Sequence, residues 1–92
     1  MIAVHARITG RVQGVGYRAW TVDTARKLGV TGWVRNRLDG SVEAVFQGGE
    51  DRLLKMQEKC WDGPLLARVK DIQTKSVGVD ESLRGFEARS TL

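Results

Sequence analysis

The chain has 92 residues, 41% of them hydrophobic and 28% charged, and a formal net charge of +4. That length supports one modest core, burying roughly 60–65% of the unfolded surface, and it excludes doubly wound dehydrogenases, barrels and multidomain kinases. The longest unbroken apolar run, Met1 to Val4, is far too short for a membrane span or a signal-peptide core, so a single cytoplasmic domain over residues 1–92 is expected.

Residues 2–9 alternate, with Ile2, Val4, Ala6 and Ile8 on one face, and predict a half-buried strand. His5 falls on the opposite face and is expected at the surface or the sheet edge. A glycine-rich loop follows from Gly10 to Tyr17. Residues 18–28 read as a helix, in which Val22, Ala25 and Leu28 recur near the helical period and Gly29 suits the position just after it. Val30 to Arg37, with Trp33 and Val34, reads as a second strand, and Leu38-Asp39-Gly40 as a turn. Ser41 to Gln47 follows as a third strand with Val42, Ala44 and Phe46 on one face, so the pair forms a hairpin. Trp33 and Phe46 are expected to pack in the core or along the strands.

Gly48-Gly49 breaks the strand, and Glu50 and Asp51 open a second helix where its dipole favours acids. Leu53, Met56 and Cys60 form its apolar stripe, which Asp62-Gly63-Pro64 ends. Cys60 is the one cysteine and His5 the one histidine. Disulfides, thiol pairs and Cys/His metal centres are therefore poor fits. Leu66 to Val79 holds one long or two short strands, and Phe86 to Arg89 allows a short C-terminal one. The order β-α-β-β-α-β predicts an α+β, ferredoxin-like sandwich, an antiparallel sheet with two helices on one face. That fold hosts many functions, so function must come from a site.

The charge points to where that site lies. Residues 1–37 carry +6 and residues 38–92 carry −2, which draws an anion to the N-terminal part. There Gly10-Arg11-Val12-Gln13-Gly14-Val15-Gly16-Tyr17-Arg18 joins a strand to a helix N-terminus, where free N–H groups and the dipole favour an anion. Gly14 and Gly16 can take positive φ, letting successive N–H groups curl into a nest. Arg18 at the helix start can grip phosphate oxygens in a fork. Taken alone, these parts fit a phosphate cradle or merely a tight turn beside a solvated arginine. The P-loop ending Gly-Lys-Ser/Thr is absent. The dinucleotide-like run Gly14-Val15-Gly16-Tyr17-Arg18-Ala19 lacks the parallel sheet that motif needs.

The Gly10–Arg18 loop resembles the acylphosphatase signature. A second family segment stands at the expected distance, Gly32-Trp33-Val34-Arg35-Asn36 and then Asp39-Gly40-Ser41-Val42-Glu43. Gly63-Pro64-Leu65-Leu66-Ala67-Arg68-Val69 and Gly85-Phe86-Glu87 are similar too, so the resemblance spans nearly the whole chain. It implies a hydrolase of small acyl phosphates that needs neither metal nor cofactor and releases a carboxylate and inorganic phosphate; a small basic domain with alternating strands is, for its part, most simply a monomer. Arg18 would hold the phosphate, the backbone N–H groups of Gly14, Val15, Gly16, Tyr17 and Arg18 would cradle it, and Asn36 would position water. Gly16-Tyr17 departs from the pattern, since many members carry two bulky aromatics there. Tyr17 and Trp20 are each open to a packing role or to bordering the acyl group; Trp61 covers a core edge or stands exposed. Arg35 and Arg37 either steer anions or are solvated strand charge.

The alternative is a non-catalytic phosphate- or RNA-binding module of the same fold. RNA-recognition domains stack bases on aromatics of the third strand. Here that strand reads Ser41-Val42-Glu43-Ala44-Val45-Phe46-Gln47, with one aromatic and one acid, so nucleic acid is a disfavoured partner.

Overall fold

The computed structural model describes residues 1–92. Five strands and two helices follow in the order β1 (Ile2–Arg11), α1 (Tyr17–Leu28), β2 (Thr31–Asn36), β3 (Val42–Gly48), α2 (Glu50–Asp62), β4 (Arg68–Val77) and β5 (Phe86–Ala88). They form one sheet in the order β4-β1-β3-β2-β5. This is the expected ferredoxin-like α+β arrangement. The stretch from Leu66 to Val79 forms one strand, β4.

Two features differ from the sequence reading. The sheet is mixed, because β5 pairs with β2 in parallel while the other pairs are antiparallel. Strand direction depends on the path of the chain between β4 and β5, which alternation does not encode. The buried stripe of α1 is also shifted, to Tyr17, Thr21 and Ala25, with Val22 and Leu28 at its flank. Thr21 passes for a polar position, but its hydroxyl donates to the Tyr17 carbonyl at 2.7 Å and so can be buried at little cost.

Strand pairing sets the register of the core. Ile8 lies opposite Val42, Ala6 opposite Ala44 and Val4 opposite Phe46, while Val34 lies opposite Ala44. These residues face Tyr17 and Ala25 of α1 and Leu53, Met56 and Cys60 of α2 in one core. Phe46 and Phe86 stack with centroids 5.7 Å apart. Gly32 is required here: its φ is 140°, and a Cβ would run into the Val45 carbonyl. Neither helix is long and apolar enough to cross a membrane.

The opposite face of the sheet is polar. Glu43 sits near its centre with 14% of its side chain exposed, between His5 Nε2 at 2.7 Å, Arg37 Nη1 at 3.2 Å and Arg35 Nε at 3.8 Å. A carboxylate only accepts, so His5 Nε2 carries the proton it donates. His5 is therefore a pinned, half-buried member of a charge cluster. Trp33 also lies on this face rather than in the core, with the Arg35 and Arg89 guanidiniums 4.5 and 5.0 Å from its ring centroid.

Candidate active site

β1 and β2 are both antiparallel to β3, which lies between them. Their C-terminal ends therefore open on the same edge of the sheet. Arg11 ends the first and Asn36 the second, and the loop after Arg11 turns from that edge into α1. The topology thus brings the glycine loop, the first turn of α1 and Asn36 to one place. A cavity of about 420 Å³ lies there, lined by Val12, Gln13, Gly14, Gly16, Tyr17, Arg18, Ala19, Asn36 and Ala88.

The loop is built for donors. Gly14 and Gly16 both adopt left-handed backbone, at φ 73° and 80°, and Val15 between them does not. An L side chain pays about 1–2 kcal/mol for that conformation. Gly16 caps α1 without any side-chain bond, and no acidic residue occupies the first turn. The N–H groups of Gly14 to Ala19 find no acceptor within the chain; the next, of Trp20, bonds the Gly16 carbonyl at 3.0 Å. Donors left free at a helix N-terminus suit a bound anion.

Arg18 is half-buried in this cavity and forms no ion pair with any acid of the chain. No carboxylate lines the cavity, so nothing there repels an anion. Asn36 contributes an oxygen, Oδ1, that is buried and has no hydrogen-bond partner. Leaving such an atom unpaired costs about 1–3 kcal/mol, and exceptions of this kind concentrate at working sites.

The remaining residues sort by what they touch. Val15 packs against the core and does not line the cavity. Tyr17 lines it but is 1% exposed, and its hydroxyl donates to the Cys60 carbonyl at 2.6 Å, so packing is its main role. Burial raises the Tyr17 phenol far above its ordinary range, which keeps it neutral. Trp20 packs on Tyr17, with centroids 5.4 Å apart, and stays outside the cavity lining. Trp61 is half-exposed. Burial pushes the Cys60 thiol up to about 12, so no nucleophilic thiolate forms near neutral pH. Arg35 and Arg37 pair with Glu43 and lie outside the cavity lining.

Gln13 is the residue that sequence reasoning missed. Its Nε2 donates to the carbonyls of Arg37 and Ser41, each at 2.8 Å. It thereby ties the glycine loop to the β2–β3 hairpin immediately beyond Asn36. A glutamine in a loop has no periodicity to mark it, and the partners are backbone atoms, which sequence does not display.

The acylphosphatase family model matches residues 4–88. The chain belongs to the acylphosphatase family. It is 53% identical over 89 residues to an acylphosphatase of Trichormus variabilis, covering 97% of this chain and 87% of that relative. It is 47% identical over 91 residues to acylphosphatase 2 of Ralstonia nicotianae, covering 99% and 96%. The crystal structure of the Bacillus subtilis acylphosphatase superposes with a TM-score of 0.93 at 34% identity, covering 97% of this chain and 99% of that one. An acylphosphatase from Coxiella burnetii superposes at 0.91 with 33% identity, covering 96% and 92%. The protein is thus an acylphosphatase hydrolase, of a family that acts on small-molecule acyl phosphates.

Proposed function

We propose that residues 1–92 form one acylphosphatase domain in which Arg18 and the Gly14–Arg18 backbone hold the phosphoryl group and Asn36 orients the attacking water. The observation that carries this is the orphaned, buried Asn36 Oδ1 in the same cavity as Arg18 and the free N–H groups.

An acyl phosphate is already activated, because its leaving group is a weakly basic carboxylate. Its loose transition state asks for positioning and charge stabilisation more than for acid–base help. The Arg18 guanidinium and the cradle supply the positive field as charge spreads over the phosphoryl oxygens. Water donates a hydrogen bond to Asn36 Oδ1, which fixes its lone pair towards phosphorus. The new P–O bond forms as the P–O bond to the acyl group breaks, and the carboxylate leaves with that electron pair. Asn36 is no base, so the water proton passes to a phosphoryl oxygen or to solvent. No metal enters this route.

The reading extends to a monomer in a reducing cytoplasm, where a lone, buried Cys60 suits the compartment. Nucleic acid is left out as a partner. Base stacking on the open face would need the Trp33 ring, and two guanidiniums already lie against it.

The test is hydrolysis of benzoyl phosphate in EDTA by the wild type, Arg18→Ala and Asn36→Ala, each first shown to be folded. Metal-free turnover lost with Arg18→Ala, and a kcat loss with Asn36→Ala at little change in phosphate inhibition, is the expected result. Near-wild-type kcat in Asn36→Ala would remove the water-positioning role. Turnover that EDTA abolishes would remove the metal-free route.

A further inference from the structure

A second cavity, of about 470 Å³, opens between the C-terminal end of α1 and the outer edge of the sheet. Three basic residues line it, Arg26, Arg84 and Arg89, the last with its guanidinium over Trp33, against one acidic residue, Glu87. Glu87 is largely exposed and already paired with Arg89 at 3.3 Å. Arg26 and Arg84 pair with no acid of the chain.

These two side chains are nonetheless held in place. Arg26 Nε donates to the Phe86 carbonyl at 3.2 Å, and Arg84 Nη1 donates to the carbonyls of Glu81 and Leu83. Both Nη groups of Arg26, and Nε and Nη2 of Arg84, remain without an acceptor in the chain. A cation in the last turn of α1 is favoured by the helix dipole, which accounts for the charge of Arg26. It does not account for Arg84, in the loop before β5, converging on the same concavity. Donors fixed by backbone bonds have lost part of their rotamer freedom in advance, which lowers the cost of holding a ligand.

We propose that this cavity is a second anion site, and that its ligand is a small phosphate-bearing polyanion. Forked guanidiniums match phosphate oxygens in pairs, and the volume falls in the range of small-molecule sites rather than that of one bare ion. The site is separate from the acyl phosphate cavity. Arg18 and Arg26 stand eight residues apart on α1, about 12 Å along its axis. The two cavities have no lining residue in common, although α1, β2 and β5 border both: Arg18, Asn36 and Ala88 line the first, Arg26, Gly32 and Phe86 the second. Nothing in this inference depends on Arg18 or Asn36.

The probe is inorganic pyrophosphate, titrated into ¹⁵N-labelled protein while backbone amide shifts are followed. Two groups of shifts are expected, one at Gly14–Arg18 and one at Leu83–Arg89 with Gly32, with separate midpoints. The double variant Arg26→Gln/Arg84→Gln should weaken the second midpoint at least tenfold and leave the first within twofold. Glu87→Gln removes the only carboxylate of the cavity and should tighten the second midpoint. Both replaced arginines are exposed, and the amide spectrum itself shows whether each variant is folded. Shifts confined to Gly14–Arg18, or a second midpoint that the double variant leaves unmoved, would overturn the proposal. Failure of the phosphate-cradle reading would look different: the Gly14–Arg18 group would stay silent.

Discussion

The Tyr17 hydroxyl donates to the Cys60 carbonyl at 2.6 Å and joins the first residue of α1 to the last turn of α2. The Cys60 carbonyl is one of the groups that a helix end leaves without an intrahelical donor. Tyr17 supplies that donor from inside the core, beside the residue proposed to hold phosphate. Tyr17→Phe keeps the ring and leaves the carbonyl buried and unpaired, which costs about 1–3 kcal/mol. The melting temperature should fall by roughly 4–8 °C for each kcal/mol in a domain of this size. The measurement is thermal unfolding of the two proteins. An unchanged melting temperature would mean that water replaces the phenol.

Gln13 acts on the site through Asn36. Gln13→Ala removes both bonds to the hairpin, while the Arg37 N–H to Ser41 carbonyl bond at 2.8 Å keeps the turn closed. The fold should therefore survive while the loop and Asn36 drift relative to each other. A misplacement near 1 Å can cost about a hundredfold in rate. We expect kcat for benzoyl phosphate to fall roughly 10- to 100-fold, with KM changing much less. A loss confined to KM would show that Gln13 serves binding rather than placement.

The strands and helices were legible because their faces are marked by side chains. Leu53, Met56 and Cys60 declare the buried stripe of α2, and Val42, Ala44 and Phe46 the inner face of β3. The shape of the phosphate loop was legible because only glycine takes φ near 80° cheaply, and Gly14 and Gly16 stand where that is needed. What stayed hidden was set by partners distant in sequence. Thr21 is buried through a bond to its own helix, Gln13 bonds backbone carbonyls, and β5 runs parallel because of the loop that precedes it. Which of its two expected places Trp33 takes, the core or the strand surface, was hidden for the same reason: two arginines, one in β2 and one just beyond β5, make the open face a suitable place for it.

Two glycines separate conformational strain from steric exclusion. A Cβ at Gly16 would meet nothing within 4 Å, so Gly16→Ala is charged only for the left-handed backbone, about 1–2 kcal/mol. It should fold, with a lowered melting temperature and weaker phosphate inhibition, because relief of that strain turns the cradle N–H groups away. Gly32→Ala adds a collision with the Val45 carbonyl inside the sheet and should not give a folded protein. Circular dichroism of the pair distinguishes them. Equal behaviour would show that β2 can shift to admit a methyl group.

Glu43 makes stability depend on acid in a direction the structure specifies. Burial alone would raise its carboxyl, but the His5 hydrogen bond and the Arg37 and Arg35 charges outweigh burial and hold it below the ordinary glutamate value. The folded protein thus prefers the carboxylate more than the unfolded chain does. The stabilisation is complete above the unfolded value, near pH 4.3, and is lost as pH falls through the lower folded one. Glu43→Gln should be less stable than the wild type at pH 7 by about 1–3 kcal/mol, since it removes a charged acceptor from His5 and Arg37 and the counter-charge beside Arg35. Below that window the two proteins should converge. Asp39, also lowered by its bonds from Ser41, is present in both and cancels from the comparison. Urea unfolding of the pair from pH 7 to pH 3 measures the difference directly. A gap that persists unchanged to pH 3 would mean that Glu43 contributes by shape and not by charge.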